Sequence, residues 1–122
     1  MTAAFAAREL LMPSASIQLS ATELAGWLRG ANPPMLLDVR EEEEHRFAAL
    51  PDSKLVPLGQ IPDRVAELDA WKDRDIVVYC HHGVRSLHAI GWLRQQGFHK
   101  LRNLSGGIDA WSREVDSTVP RY

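Results

Sequence analysis

Ile76-Val77-Val78-Tyr79 is an unbroken apolar run that passes directly into Cys80-His81-His82-Gly83-Val84-Arg85-Ser86. No polar position interrupts those four residues, so an extended segment here needs cover on both faces. That is the pattern of a strand inside a parallel sheet with a layer on each side. Leu87, Ile90 and Leu93 then recur at helical spacing, and Gly97 stops the helix. A buried strand therefore passes into a helix through one short loop, and that loop holds the only cysteine of the chain.

The rest of the chain repeats this alternation. Ile17–Leu19, Met35–Val39, Leu55-Val56 and Lys100–Leu104 read as further strands. Ser20-Ala21-Thr22-Glu23 is a capping box, in which hydroxyl and carboxylate satisfy each other's orphan backbone donors ahead of Leu24, Trp27 and Leu28. Glu41–Phe47 reads as a short acidic helix. Ile61, Val65 and Leu68 mark another helix, and Ser105-Gly106-Gly107 turns into a last one carrying Ile108 and Trp111. Alternating strands and helices predict an α/β fold: a central parallel sheet of about five strands with helices on both faces. Residues 1–15 read as an N-terminal extension, with a short helix over residues 3–11 ended by Pro13, and residues 16–122 as one domain. In such sheets ligands sit at the carboxyl ends of the strands, where the Cys80 loop lies.

The loop predicts a reactive thiol. Gly83 permits the tight curl from Cys80 to Arg85. Successive amides in such a curl point inward and form an anion-binding nest, and the following helix adds its positive end. Arg85 adds a full charge and a planar fork. These features favour a thiolate, and equally an anion attached to it, so the site suits a nucleophilic cysteine that attacks an anionic substrate.

Composition excludes several other classes. A net charge of −2 argues against a nucleic-acid partner. No stretch is long and apolar enough to span a membrane. One cysteine forbids an internal disulfide, and the five histidines are not spaced for a metal. Arg8 and Glu9 interrupt the apolar N-terminus where a secretory leader carries none, so the expected location is cytoplasmic.

Three ordered stretches resemble the single-domain rhodanese family. They are Leu37-Asp38-Val39-Arg40-Glu41, Val77-Val78-Tyr79-Cys80-His81-His82-Gly83-Val84-Arg85-Ser86, and Asn103-Leu104-Ser105-Gly106-Gly107-Ile108-Asp109-Ala110-Trp111. The likeness covers about residues 16–114. The tail from Val115 to Tyr122 looks like that of rhodanese domains attached to sulfur-carrier-activating adenylyltransferases. The resemblance implies the rhodanese fold and a sulfurtransferase. Cys80 would take the outer sulfur of a small anionic donor such as thiosulfate and become a persulfide. A thiol, a protein, or cyanide in an assay would then accept that sulfur in a ping-pong cycle. No cofactor is implied, because the persulfide itself is the carrier, and with no second cysteine the sulfur must leave to an external acceptor. The six-residue loop matches the sulfur-handling branch. The related dual-specificity phosphatases have a loop one residue longer. The alternative function is a rhodanese-fold module that docks a sulfur-trafficking partner with little turnover. One stretch departs from the family: Ala48-Ala49-Leu50-Pro51-Asp52-Ser53 stands where Gly-His-Ile-Pro-Gly-Ala is usual, which predicts an altered loop near the site.

Cys80 is thus the expected catalytic residue, and His81, His82, Gly83, Val84, Arg85 and Ser86 the expected substrate-binding loop. Arg85 reads as an anion ligand, or otherwise as the ion-pair partner of Asp38. Asp38 and Arg40 are expected to brace the loop, with a surface pair to Glu41–Glu44 as the plainer role of Arg40. Ser86 is expected to cap the helix and to reach the sulfur. Glu41–Glu44 read as a solvated face, His45, His88 and His99 as surface residues, the four tryptophans as packing, and Gly106-Gly107 as a turn that lets the last helix approach closely.

Overall fold

The computed structural model describes residues 17–122; the helix expected over residues 3–11 lies outside them. The strands are β1 (Gln18–Leu19), β2 (Met35–Asp38), β3 (Lys54–Leu55), β4 (Ile76–Tyr79) and β5 (Leu101–Leu104). They form one parallel sheet in the order β1-β5-β4-β2-β3. β4 is central, and all four of its residues are buried. Its apolar run is what a strand covered on both faces requires.

The side chains of β4 alternate between two cores, as strand geometry dictates. Val77 and Tyr79 join Leu24, Leu36, Leu104, Ile108 and Trp111 on one face. Helices α1 (Ala21–Leu28) and α5 (Gly107–Glu114) cover that face. Ile76, Val78 and Cys80 join Leu37, Ile61, Leu68, Ile90, Leu93 and Phe98 on the other. There α4 (Val84–Gln95) and the segment Ile61–Trp71 provide the cover. The short α2 (Glu42–Phe47) follows β2. The expected capping box at α1 is present: Ser20 Oγ accepts from the Glu23 amide, and Glu23 Oε1 accepts from the Ser20 amide.

The helix expected around Ile61, Val65 and Leu68 needs correction. Only α3 (Ile61–Arg64) is α-helical, and Val65–Trp71 continues as a 3-10 helix. At three residues per turn, Val65, Leu68 and Trp71 fall on one side, and all three pack into the same core. Strand β2 also ends at Asp38, one residue earlier than expected, and β5 begins one residue later.

Among the described residues no helix is long and apolar enough to cross a membrane. A cavity of about 760 Å³, lined by Pro34, Met35, Asp75 and Trp111 among others, opens beside the residues that precede β2 and β4. None of its lining residues belongs to the Cys80 loop, which follows the carboxyl end of β4.

Candidate active site

Cys80 is the first residue after β4 and is 1% exposed. Gly83 takes φ +107°, which a residue with a side chain rarely adopts, and the chain turns there into α4. The turn aims amides at the sulfur. The Gly83 N–H donates to Sγ at 3.1 Å and the Ser86 N–H at 3.4 Å.

The carbonyls of this loop face the other way because α5 holds them. Ile108 N–H donates to the Cys80 carbonyl at 2.9 Å, and Asp109 N–H to the His81 carbonyl at 3.1 Å. Such close approach of backbone to backbone is possible because residue 107 is glycine. A Cβ there would stand 2.2 Å from the His81 oxygen and 2.5 Å from the Cys80 oxygen. The close packing expected of Gly106-Gly107 is therefore aimed at the cysteine loop itself.

Ser86 does not cap α4. Gly83 occupies the cap position, and Ser86 lies inside the first turn with its Oγ 3.4 Å from Cys80 Sγ. That hydroxyl donates to Asn103 Oδ1 on β5, and Asn103 Nδ2 in turn donates to the Gly83 carbonyl at 3.3 Å. Asn103 thus ties the helix start to the turn. A rotation of the hydroxyl would send its proton to a sulfur that has become anionic.

Two opposing effects set the acidity of the thiol. Burial is the larger single one and pushes it up. The Ser86 hydroxyl and the amides of Ser86, Gly83 and His82 together outweigh it, so the thiol sits below its ordinary range. A lowered thiol keeps its reactive anion to lower pH. We expect the rate of Cys80 alkylation by iodoacetamide to reach half its plateau at lower pH than for a free cysteine. A stopped-time mass assay across pH checks this.

The remaining loop residues divide. His82 and Val84 turn their side chains outward, Val84 at 64% exposure, so their side chains do not line the sulfur site. His81 is stacked between His82 (centroids 3.9 Å apart) and Tyr122 (3.9 Å, interplanar angle 8°). Burial first, and then the neighbouring His82, lower its pKa.

Arg85 does not meet Asp38. Its guanidinium is held bidentately by Glu44 of α2, at 2.7 and 2.9 Å. Asp38 is already engaged by Arg40, through Nε at 2.9 Å, Nη2 at 2.7 Å and the Arg40 amide at 3.0 Å. Arg40 is not in a surface pair; it is wholly buried, as is Asp38. Its Nη2 also donates to the Ala48 carbonyl and its Nη1 to Tyr122 Oη. The altered stretch Ala48–Ser53 is thereby pinned. Leu50 N–H and Ser53 Oγ bond to Tyr79 Oη, and Asp52 accepts φ +60° where the family has glycine. His45 is likewise not a free surface residue, since its Nδ1 lies 2.8 Å from Asp38 Oδ2.

Removing one partner of a buried ion pair strands the other charge. Asp38→Ala is therefore expected to cost about 3–5 kcal/mol of stability. Urea unfolding followed by circular dichroism checks this.

Glu44, Asn103 and Tyr122 contact the loop residues Arg85, Ser86 and His81, although the sequence does not single them out. Glu44 lies in a run that reads as solvated, yet its carboxylate accepts from Arg85, from Tyr122 Oη at 2.7 Å and from the Glu41 amide at 2.9 Å. Arg85 is the first cause and holds its pKa down to about 2. The apolar alternation of Leu101–Leu104, broken by Asn103, was the one available signal for that residue.

Comparison with known proteins agrees with this geometry. Residues 20–114 match the family described as Rhodanese-like domain. A sulfurtransferase of Allochromatium vinosum is 38% identical over 96 residues, covering 79% of this chain and 88% of that protein. The adenylyltransferase and sulfurtransferase MOCS3 of Arabidopsis thaliana is 30% identical over 126 residues, but the match spans only 27% of its length. The crystal structure of a rhodanese-like domain protein from Staphylococcus aureus superposes with a TM-score of 0.74 at 28% identity, covering 87% of this chain and 98% of that one. With a cysteine nest between β4 and α4, and with the match spanning most of its length, the chain belongs to the rhodanese-like domain family of sulfurtransferases.

Proposed function

We propose that the chain carries sulfane sulfur as a persulfide on Cys80, taking it from thiosulfate or another sulfur donor and passing it to a thiophilic acceptor in two separate half-reactions. The observation that supports this most directly is the sulfur itself: a buried Sγ that receives two backbone amides and lies beside a hydroxyl. A thiolate held by amides is a nucleophile, and the same amides hold the terminal sulfur of a persulfide anion.

In the first half-reaction the thiolate attacks the outer sulfur of thiosulfate. The bond between the two sulfur atoms of the donor breaks, a new one forms to Sγ, and sulfite departs with its electron pair. Three negative charges enter and three leave, so no oxidant is needed. In the second half-reaction a thiolate or cyanide attacks the terminal sulfur and Cys80 departs as thiolate. Among the described residues Cys80 has no second thiol beside it, so the acceptor comes from outside.

Intact mass spectrometry after incubation with thiosulfate tests this. The expected result is a gain of one sulfur atom on the chain, removed by cyanide. A chain that gains no sulfur from any donor, while Cys80 remains alkylatable, would instead be a module that docks a sulfur-trafficking partner.

A further inference from the structure

The cation that ought to attract an anionic donor is already occupied. Arg85 is the second residue of α4 and directly precedes Ser86, whose amide donates to Cys80 Sγ at 3.4 Å. Both of its terminal nitrogens, however, face the two oxygens of Glu44. Glu44 is not a loose surface partner. Its side chain is only 21% exposed, and it is held by four donors: Arg85 Nη1 and Nη2, the Tyr122 hydroxyl and the Glu41 amide. Tyr122 is itself fixed by its face-to-face stack on His81 and by accepting from Arg40.

Three other described arginines are paired as well. Arg40 is paired with Asp38, which His45 also contacts, and Arg113 and Arg121 converge on Asp109 of α5 rather than on the loop. Glu44 therefore places a built-in anion on the one guanidinium of the Cys80 loop, for which the charged end of a donor such as thiosulfate would have to compete. That dianion must either displace a carboxylate with four partners or enter beside it. A persulfide, R–S–S⁻, brings one charge on the sulfur to be transferred and no second anionic group at the leaving sulfur. The amides of Gly83 and Ser86 suffice for it.

We propose that Glu44, clamped by Tyr122, is a specificity-determining residue that withholds Arg85 from free anions and tilts donor choice from thiosulfate toward persulfides. This rests on the sulfurtransferase reading above and narrows its donor. With a persulfide the step is RSS⁻ plus the Cys80 thiolate giving RS⁻ plus the Cys80 persulfide anion: one sulfur–sulfur bond breaks and one forms.

The test is single-turnover sulfur loading, followed by quenched intact mass spectrometry, with thiosulfate and with cysteine persulfide as donors. Native chain, Glu44→Gln and Tyr122→Phe are compared. Glu44→Gln keeps the shape but removes the negative charge that holds the guanidinium. We expect its half-saturating thiosulfate concentration to fall about tenfold, since a hydrogen bond to a charged group is strong enough for that, with a limiting rate changed less than about threefold. Loading from cysteine persulfide should change less than about threefold in both quantities. Tyr122→Phe keeps the stack on His81 and removes only the hydroxyl. It should shift thiosulfate in the same direction by about threefold, and it carries the test if the first variant folds poorly. An unchanged ratio between the two donors, or weaker use of thiosulfate by Glu44→Gln, would overturn the proposal while leaving the persulfide carrier intact. Failure of the native chain to load from either donor would overturn the carrier and this inference together.

Discussion

Cys80→Ser will take up no sulfur. The substitution changes one atom at a position that is buried and well packed, so the fold should persist. What is lost is the nucleophile. The amides of Gly83 and Ser86 stabilise a thiolate and help hold the thiol below its ordinary range. A hydroxyl stays protonated there, and among the described residues no histidine ring or carboxylate is bonded to Sγ to act as its base. The described polar contacts of Sγ are with Gly83 and Ser86. Transfer from thiosulfate to cyanide should fall roughly a thousandfold or more, the scale of loss when a nucleophile is removed outright. Steady-state thiocyanate formation gives the rate, and intact mass gives the loading. Sulfur appearing on the variant would move the carrier away from residue 80.

The second large effect lies outside the loop. Gly107→Ala should damage both stability and chemistry. Its backbone has φ +62°, and an added methyl would stand 2.2 Å from the His81 carbonyl oxygen. The left-handed conformation costs about 1–2 kcal/mol for a residue with a Cβ. Pushing packed backbone aside costs about 1–3 kcal/mol more. The displaced groups are the start of α5 and the Cys80-His81 peptides, which turn the loop amides inward. A displacement near 1 Å at a catalytic group costs about a hundredfold, so sulfur loading should fall by about that factor even where circular dichroism shows the chain folded. Gly91→Ala is the matched control. Gly91 lies in the middle of α4, and a Cβ there meets nothing within 4 Å. That change should raise stability by about 0.5–1 kcal/mol and leave loading unaltered.

The central strand, its loop and the cysteine were legible because their signals are local. Four apolar residues, a glycine and a helical period sit within eighteen positions of one another. The layered parallel sheet followed from the same alternation repeated along the chain. The electrostatics of the site were not legible in that way. Arg85 and Glu44 are 41 residues apart, and Tyr122 and Glu44 are 78 apart. No periodicity couples such positions, and a run of four glutamates gives no hint that one of them faces inward. Arg40 shows the converse. Its bond to Asp38 spans two residues, yet the sequence does not reveal that a fully ionised pair is buried there, because burial is decided by α2 and the Ala48–Ser53 segment folding over it. Ser86 differs from its expected role because the capping position belongs to Gly83, whose positive φ sets the start of the helix one turn before the hydroxyl.

The order of strands has a consequence for how the chain comes together. Among the described strands β1 pairs only with β5, and the Gln18–Asn103 side-chain bond closes a separation of 85 residues. During synthesis β1 therefore has no partner in this sheet until β5 has left the ribosome. The same late strand supplies Asn103 to the cysteine turn, and the helix after it supplies the amides that orient the loop. Contacts that close such long stretches form slowly. Between the synthesis of β1 and that of β5 the nascent chain should thus hold an open sheet edge and an unformed nest. The thiol would acquire its chemistry in the same closing event that completes the sheet.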